Sequence, residues 1–329
     1  MFLELASHEK NDLGNHVWRY VVTIVIVVLF YVLGQIPLAI VAFMNIRDPQ
    51  VLMDFSETID FSLIGVSAKF GLILIILIFA FSLFGLIISV KFIHRKKLMS
   101  VITASSSFRW ERVFYAFILW FALSATMETL SYLMNPENYI YNFNLELFIP
   151  LLLISLFMLP VQTSFEEIFI RGYLMQGIGL IGFYRFVPLL ITSLIFGSLH
   201  IMNPEISEFG LWTMMSFYVG FGLFLGIITL MDEGLEIPLG IHAANNIYAS
   251  VLVTYSGGAL QTDAILKMTV LDKSFMFAGW LFMSVIFMII IAKKYQWTNW
   301  HKLAGKIDFK KPDNDANNQQ NALPAQPVV

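Results

Sequence analysis

The chain has 329 residues, no cysteine, 58% hydrophobic and 13% charged residues, and a formal net charge of −3. About a quarter of the residues in a soluble domain are charged, so in water this chain would leave much of its exterior apolar and aggregate. The composition excludes an ordinary soluble domain and points to one membrane bundle. The small net charge gives no reason to expect nucleic-acid binding, and the missing cysteine removes disulfides, thiolate metal sites and cysteine nucleophiles together.

Residues 1–17 are polar and form an N-terminal segment. The apolar run from about Trp18 to Phe43 is too long for a signal peptide and lacks a small-residue cleavage site, so it reads as an uncleaved helix. At about 20 apolar residues per crossing, eight spans are predicted, near 18–43, 63–90, 112–134, 146–172, 186–203, 210–231, 237–256 and 275–292. Pro160 interrupts the fourth and Arg171 closes it, which leaves seven as the alternative count. The expected fold is an all-α polytopic membrane protein, about eight transmembrane helices in one bundle over 18–293. A polar tail, 294–329, follows with too little apolar content to bury a core and is expected to be disordered.

Lysine and arginine set the orientation. With the N-terminus inside, sixteen fall on the cytoplasmic side and only Arg47, Lys69, Lys267 and Lys273 outside. Both termini are therefore expected in the cytoplasm, and the acidic loop around Asp48, Asp54, Glu57 and Asp60 is external. The basic segment Phe92–Arg112 reads as an ordinary positive-inside loop, with inner-leaflet binding to anionic lipid as the other reading. The cluster Asp232, Glu233 and Glu236 reads as a solvated turn at the cytoplasmic mouth, with recognition of a basic substrate segment as its alternative.

An ionisable residue at membrane depth costs about 2.5–3.5 kcal/mol and usually serves a purpose. Lys69 lies near a helix end and can snorkel. Glu128, Glu166, Glu167, Arg171, His200 and His242 lie deeper, the last with Asn245 and Asn246. Glu167 and Arg171 are four apart on a helix and can pair. Glu166, turned about 100° away, has no obvious local partner, and such a carboxylate suits proton transfer near neutral pH. Its helix runs to about Leu180, and a turn at Ile181–Tyr184 leads to the next helix at Arg185. Glu166 and His200 then both lie roughly 21–23 Å from that turn at 1.5 Å per residue, at matching depth in a hairpin. Phe196 shares the face of His200. His242 and Asn246 point the same way, beside Ala243 and Ala244, which permit close helix approach; Gly220, Gly222 and Gly226 do the same in the sixth span. A lone buried histidine is more often a satisfied core group. A carboxylate, two histidines and an asparagine on three apolar helices are the makings of a site.

The chain lacks Gly-x-Ser-x-Gly, Gly-x-Gly-Asp and His-Glu-x-x-His. What remains suits water-mediated hydrolysis: Glu166 takes a proton from water, His200 orients it, and His242 and Asn246 donate to the oxyanion. Glu166, His200 and His242 are also a plausible zinc set, and the residues alone leave both mechanisms open. The transporter reading, with Glu128 and Glu166 as relay sites, finds no inverted repeat or broken-helix pair. A non-catalytic membrane scaffold is the other rival.

In order and spacing, Glu166-Glu167-x-x-x-Arg171, Phe196-x-x-x-His200 and His242-x-x-x-Asn246 resemble the three motifs of the CPBP (Abi) intramembrane protease family. Its best-known members are the CAAX prenyl endopeptidases of the Ras-converting type. The resemblance covers about Phe148–Tyr255. It implies an eight-helix membrane fold and an endopeptidase that cuts near the membrane. It implies Glu166 as base, His200 as its partner and His242 with Asn246 at the oxyanion; Glu167, Arg171 and Phe196 belong to the same motifs in supporting roles. The family is often called metalloprotease, yet a metal-free glutamate mechanism has been argued for its prenyl-processing members, and that mechanism is favoured here over zinc. The expected partner is a membrane-embedded or lipidated peptide or protein. Relatives tied to bacteriocin self-immunity, peptide maturation and membrane-kinase regulation mean that a prenylated substrate is not implied. A bacterial plasma membrane is the expected location.

Overall fold

The computed structural model describes residues 1–6, 17–255 and 257–308. Eight main helices follow the eight apolar runs: α1 Val17–Asn45, α2 Ala68–Ile88, α3 Trp110–Met134, α4 Leu145–Glu167, α5 Phe186–Leu199, α6 Leu211–Asp232, α7 Glu236–Val251 and α8 Lys273–Lys294. Large apolar side chains such as Phe43, Leu133 and Phe157 point outward from them, which suits lipid and not water.

Among the described residues, six stretches, not eight, are long and apolar enough to cross a membrane. The two that fall short are α5, with 14 residues, and α7, with 16. Their apolar runs continue further in sequence than the helices do. Beyond α5, Pro204 opens a new short helix, Pro204–Phe209, and a proline biases the residue before it away from helix. Beyond α7 the chain turns extended and forms β2, Val253–Tyr255.

The ordering of α4 places the site. Asn144 caps its start, accepting from the N–H groups of Glu146 (2.9 Å) and Leu147 (3.3 Å). Pro150 and Pro160 lie inside it, and after Glu167 the helix widens into a π segment, Ile168–Leu174, before Met175–Gly179 completes a rod of 35 residues. Two glycines let neighbouring helices approach. A Cβ on Gly240 of α7 would strike the Val113 carbonyl of α3 and lie 3.0 Å from the Phe117 nitrogen. A Cβ on Gly222 of α6 would lie 3.1 Å from the Ser193 Cα of α5.

One end of the bundle carries a three-stranded sheet, in which β3 (Leu266–Met268) runs antiparallel to β1 (Tyr139–Tyr141) and parallel to β2. It joins the α3–α4 connection to the α7–α8 connection. At this end Gln261 Nε2 also donates to the Thr58 carbonyl (2.9 Å).

The other end gathers most of the basic residues, and two expectations are corrected there. First, the polar tail does not begin at 294. A 3-10 turn, Trp300–Ala304, follows α8, Ile307 is buried, and its N–H donates to the Phe183 carbonyl (3.0 Å). Apolar positions spaced through a polar stretch, Trp297, Leu303 and Ile307, pack against the main core. Phe2 and Leu3 of the N-terminal segment are also buried, Glu4 pairs with Arg185, and Lys96 Nζ donates to the Ala6 carbonyl (2.6 Å). Residues 7–16 and 309–329 of the expected terminal segments lie outside the described residues.

Second, the acidic turn is not solvated. Asp232 and Glu236 are buried. Arg109 forks onto Glu236 (Nε–Oε1 2.9 Å, Nη2–Oε2 2.6 Å), Arg112 pairs with Asp232, and Lys302 reaches Glu233 at 3.2 Å. The segment Phe92–Arg112 is thus folded onto the bundle: charges brought out of water need partners, and this segment supplies them.

Candidate active site

The three motifs converge on one cavity of about 1340 Å³, lined by Glu166, Phe196, His200, His242 and Asn246 and otherwise mainly by apolar side chains. Glu166 and His200, placed at one depth by counting residues, line it together.

At its centre, His242 of α7 lies between the paired glutamates of α4. Its Nδ1 is 2.6 Å from Glu167 Oε1, and its Nε2 is 3.5 Å from Glu166 Oε2. Arg171 Nη1 also donates to Glu167 Oε1 (2.8 Å), as the four-residue spacing predicts, and both side chains are fully buried. Arg171 therefore belongs to the site, not to the basic rim. Its guanidinium lies 4.0 Å from the centre of the Phe196 ring, a cation–π contact.

Glu166 is half-buried and faces the cavity. It has one local partner that the motifs do not include: Gln162 Nε2 donates to Oε1 at 3.3 Å. The spacing of four residues was the available signal.

His200 follows the last residue of α5. Its Nδ1 is 2.7 Å from the Phe196 carbonyl. A carbonyl can only accept, so Nδ1 carries the hydrogen, and in that tautomer Nε2 is an acceptor. No hydrogen bond joins His200 to Glu166 among the described contacts; the two line the same cavity. Asn246 lies one turn beyond His242, and its Oδ1 accepts from Asn245 Nδ2 (3.3 Å). Its own amide N–H groups are left for another acceptor.

Among the described residues, no three His, Asp or Glu side chains gather as a metal site. The zinc alternative through Glu166, His200 and His242 therefore draws no support from the donor geometry, and no step is derived through a metal.

Glu128 sits away from this centre, along the same cavity. It accepts from the hydroxyls of Tyr139 (2.7 Å) and Tyr248, a satisfied group within the bundle. Tyr218 and Glu205, which no motif marked, line the cavity beside His200. The Tyr218 ring stacks on the His200 ring, centroids 4.4 Å apart and planes at 25°. Nothing in the spacing of residue 218 points to residue 200.

A family model described as type II CAAX prenyl endopeptidase, Rce1-like, matches residues 145–248. That stretch begins with α4 and contains every residue of the three motifs. The protein YyaK of Bacillus subtilis (strain 168), itself uncharacterised, is 33% identical over 243 residues, which are 73% of this chain and 79% of that protein. No solved structure matches the chain.

Proposed function

Because this chain belongs to the Rce1-like, CPBP family of membrane proteases, we propose that it is an intramembrane endopeptidase that hydrolyses a peptide bond with water activated by Glu166. The single observation that carries this reading is the arrangement of Glu166 and His242 across 3.5 Å at the wall of an apolar cavity.

The water sits between two acceptors, the Glu166 carboxylate and His200 Nε2, which take its two hydrogens and leave a lone pair for attack. As that oxygen bonds to the scissile carbonyl carbon, its O–H bond breaks and the proton passes to Glu166. The carbonyl oxygen becomes an oxyanion. His242, flanked by the carboxylates of Glu166 and Glu167, acts as the imidazolium: Nδ1–H is held by Glu167, and Nε2–H, together with the Asn246 amide, is given to the oxyanion. Glu167 and Arg171 fix the His242 ring through Nδ1, so that Nε2 is the nitrogen turned to the reaction. The C–N bond then breaks, and Glu166 returns its proton to the leaving amine.

The substrate is a membrane-associated peptide or protein, and a lipidated CAAX-type segment fits the family name and the apolar wall. With Arg171 set aside as a site residue, fifteen basic residues against four still support cytoplasmic termini, in a bacterial plasma membrane.

Membrane proteomes from cells carrying wild type and Glu166→Ala test the reading and identify substrates. Cleavage products should be lost in the variant. With purified protein, Glu166→Gln and His200→Ala should each slow cleavage roughly 10²–10⁴-fold, with normal insertion. Normal cleavage by both variants sinks the proposal.

A further inference from the structure

His200 can accept from a water through Nε2 only while its ring is held in place. Three contacts hold it. Nδ1 donates to the Phe196 carbonyl, the Phe196 ring lies 4.5 Å away, and Tyr218 of α6 stacks on the His200 ring. The first fixes which nitrogen faces the cavity. The stack fixes the plane of the ring, provided that Tyr218 is itself fixed.

Tyr218 is held through its hydroxyl. Asn203 Nδ2 donates to it at 3.2 Å, which leaves the hydroxyl proton to be given elsewhere. The acceptor beside it is the carboxylate of Glu205. Glu205 Oε1 accepts the N–H of Ala259 (2.8 Å), while Oε2 is buried with no hydrogen bond of its own. A buried oxygen near a tyrosine hydroxyl that still has its proton to give is the natural end of this line, because an unmet buried acceptor costs about 1–3 kcal/mol.

Glu205 also joins two connections. It lies in the short helix Pro204–Phe209, directly after the His200 turn, whereas Ala259 lies in the loop after β2, downstream of the His242 helix. A second contact binds the same two loops, since a Cβ on Gly257 would lie 3.1 Å from Glu208 Cγ. Glu205, Tyr218 and Ala259 all line the active-site cavity.

We propose that Glu205 is a positioning residue: through Tyr218 it holds the His200 ring with Nε2 turned into the cavity, and through Ala259 it sets the His200 turn against the loop that ends the His242 helix. The inference rests on the hydrolase reading for its catalytic consequence only.

The test uses the full chain in detergent and the variants Glu205→Ala, Glu205→Gln, Tyr218→Phe and the double variant Glu205→Ala with Tyr218→Phe. The first readout is imidazole NMR of histidine-labelled protein, with the His200 signals assigned by their loss in His200→Gln. These signals should move in Glu205→Ala and Tyr218→Phe while those of His242 stay. Glu205→Gln keeps an acceptor for Ala259 and should lie nearer wild type. The second readout is cleavage of a substrate found by the proteome comparison. Here kcat should fall on the order of 10- to 100-fold, the cost of small misplacements, with KM little changed. The double variant should be no slower than the slower single one, because both act along one line. Unmoved His200 signals in all variants, or losses that multiply in the double variant, overturn the proposal. If wild type cleaves nothing and the His200 signals still move, the hydrolase reading fails and the positioning link stands.

Discussion

Glu167 accepts from two residues of different origin, Arg171 on its own helix and His242 from α7, and the sequence revealed only the first. A spacing of four is visible in a chain, whereas a partner 75 residues away is not. Phe196 shows the same division. Its place in a motif was legible, but not that its carbonyl fixes His200 and its ring receives Arg171. Replacing Arg171 by methionine leaves the Glu167 carboxylate buried with one partner fewer and should cost about 3–5 kcal/mol. Adding Glu167→Gln to Arg171→Met should recover part of that loss, measured as thermal unfolding in detergent; equal instability of the single and double variants contradicts the argument. At Glu205, burial holds the carboxyl above the ordinary carboxylate range, with the Ala259 N–H and Tyr218 pulling the other way. The folded chain therefore binds this proton more tightly than the unfolded one. The corresponding stability is fully present below the unfolded-state value and is lost as pH rises through the folded-state value. Glu205→Gln should remove that slope from a plot of melting temperature against pH, and an unchanged slope would assign it to another group.

At the level of helices, the eight apolar runs each correspond to a helix among the described residues, although only six of these are long and apolar enough to cross a membrane. Hydropathy did not locate the ends of α5 and α7. Ile201 and Met202 extend the first run, and Leu252 to Tyr255 the second, but a proline and a short strand decide where the helices stop. The π segment after Glu167 was also hidden, since its backbone pattern leaves no trace in hydropathy. Such segments are frequent at functional sites, and this one carries Arg171 within it. The close contact of α7 on α3 gives a direct test of how the His242 helix is placed. Gly240→Ala puts a methyl group against backbone, at Val113 and Phe117, which cannot rotate away. A loss of about 1–3 kcal/mol is expected from such overpacking, with a larger drop in cleavage than Ala243→Gly produces. Unfolding measurements and cleavage rates on the two variants check it.

For the whole molecule, charge sorting predicted a basic cytoplasmic side; among the described residues the two ends differ in structure, with a sheet at one and a knot of arginine–carboxylate pairs at the other. The sequence did not show that the knot is buried, because Arg109 and Arg112 lie more than a hundred residues from Asp232 and Glu236. The absence of cysteine makes the orientation easy to measure with single introduced thiols. Ser62→Cys and Lys267→Cys should react with an impermeant maleimide on intact cells, and Ser106→Cys and His301→Cys only after permeabilisation, all four sites being exposed. The reverse pattern would invert the topology. The two short helices have a further consequence. At about 1.5 Å per residue, α5 and α7, with 14 and 16 residues, fall several ångströms short of a hydrocarbon layer about 30 Å thick. α7 is enclosed by the rest of the bundle, whereas α5 turns Leu190 and Leu194 outward; lipid meets the shortness of such a helix by thinning, which draws headgroups and their hydration inward beside the element that ends at His200. A protease in oil has two substrates to obtain, and the scarcer one there is water; the shortness of α5 brings the aqueous phase towards His200 and the cavity it shares with Glu166.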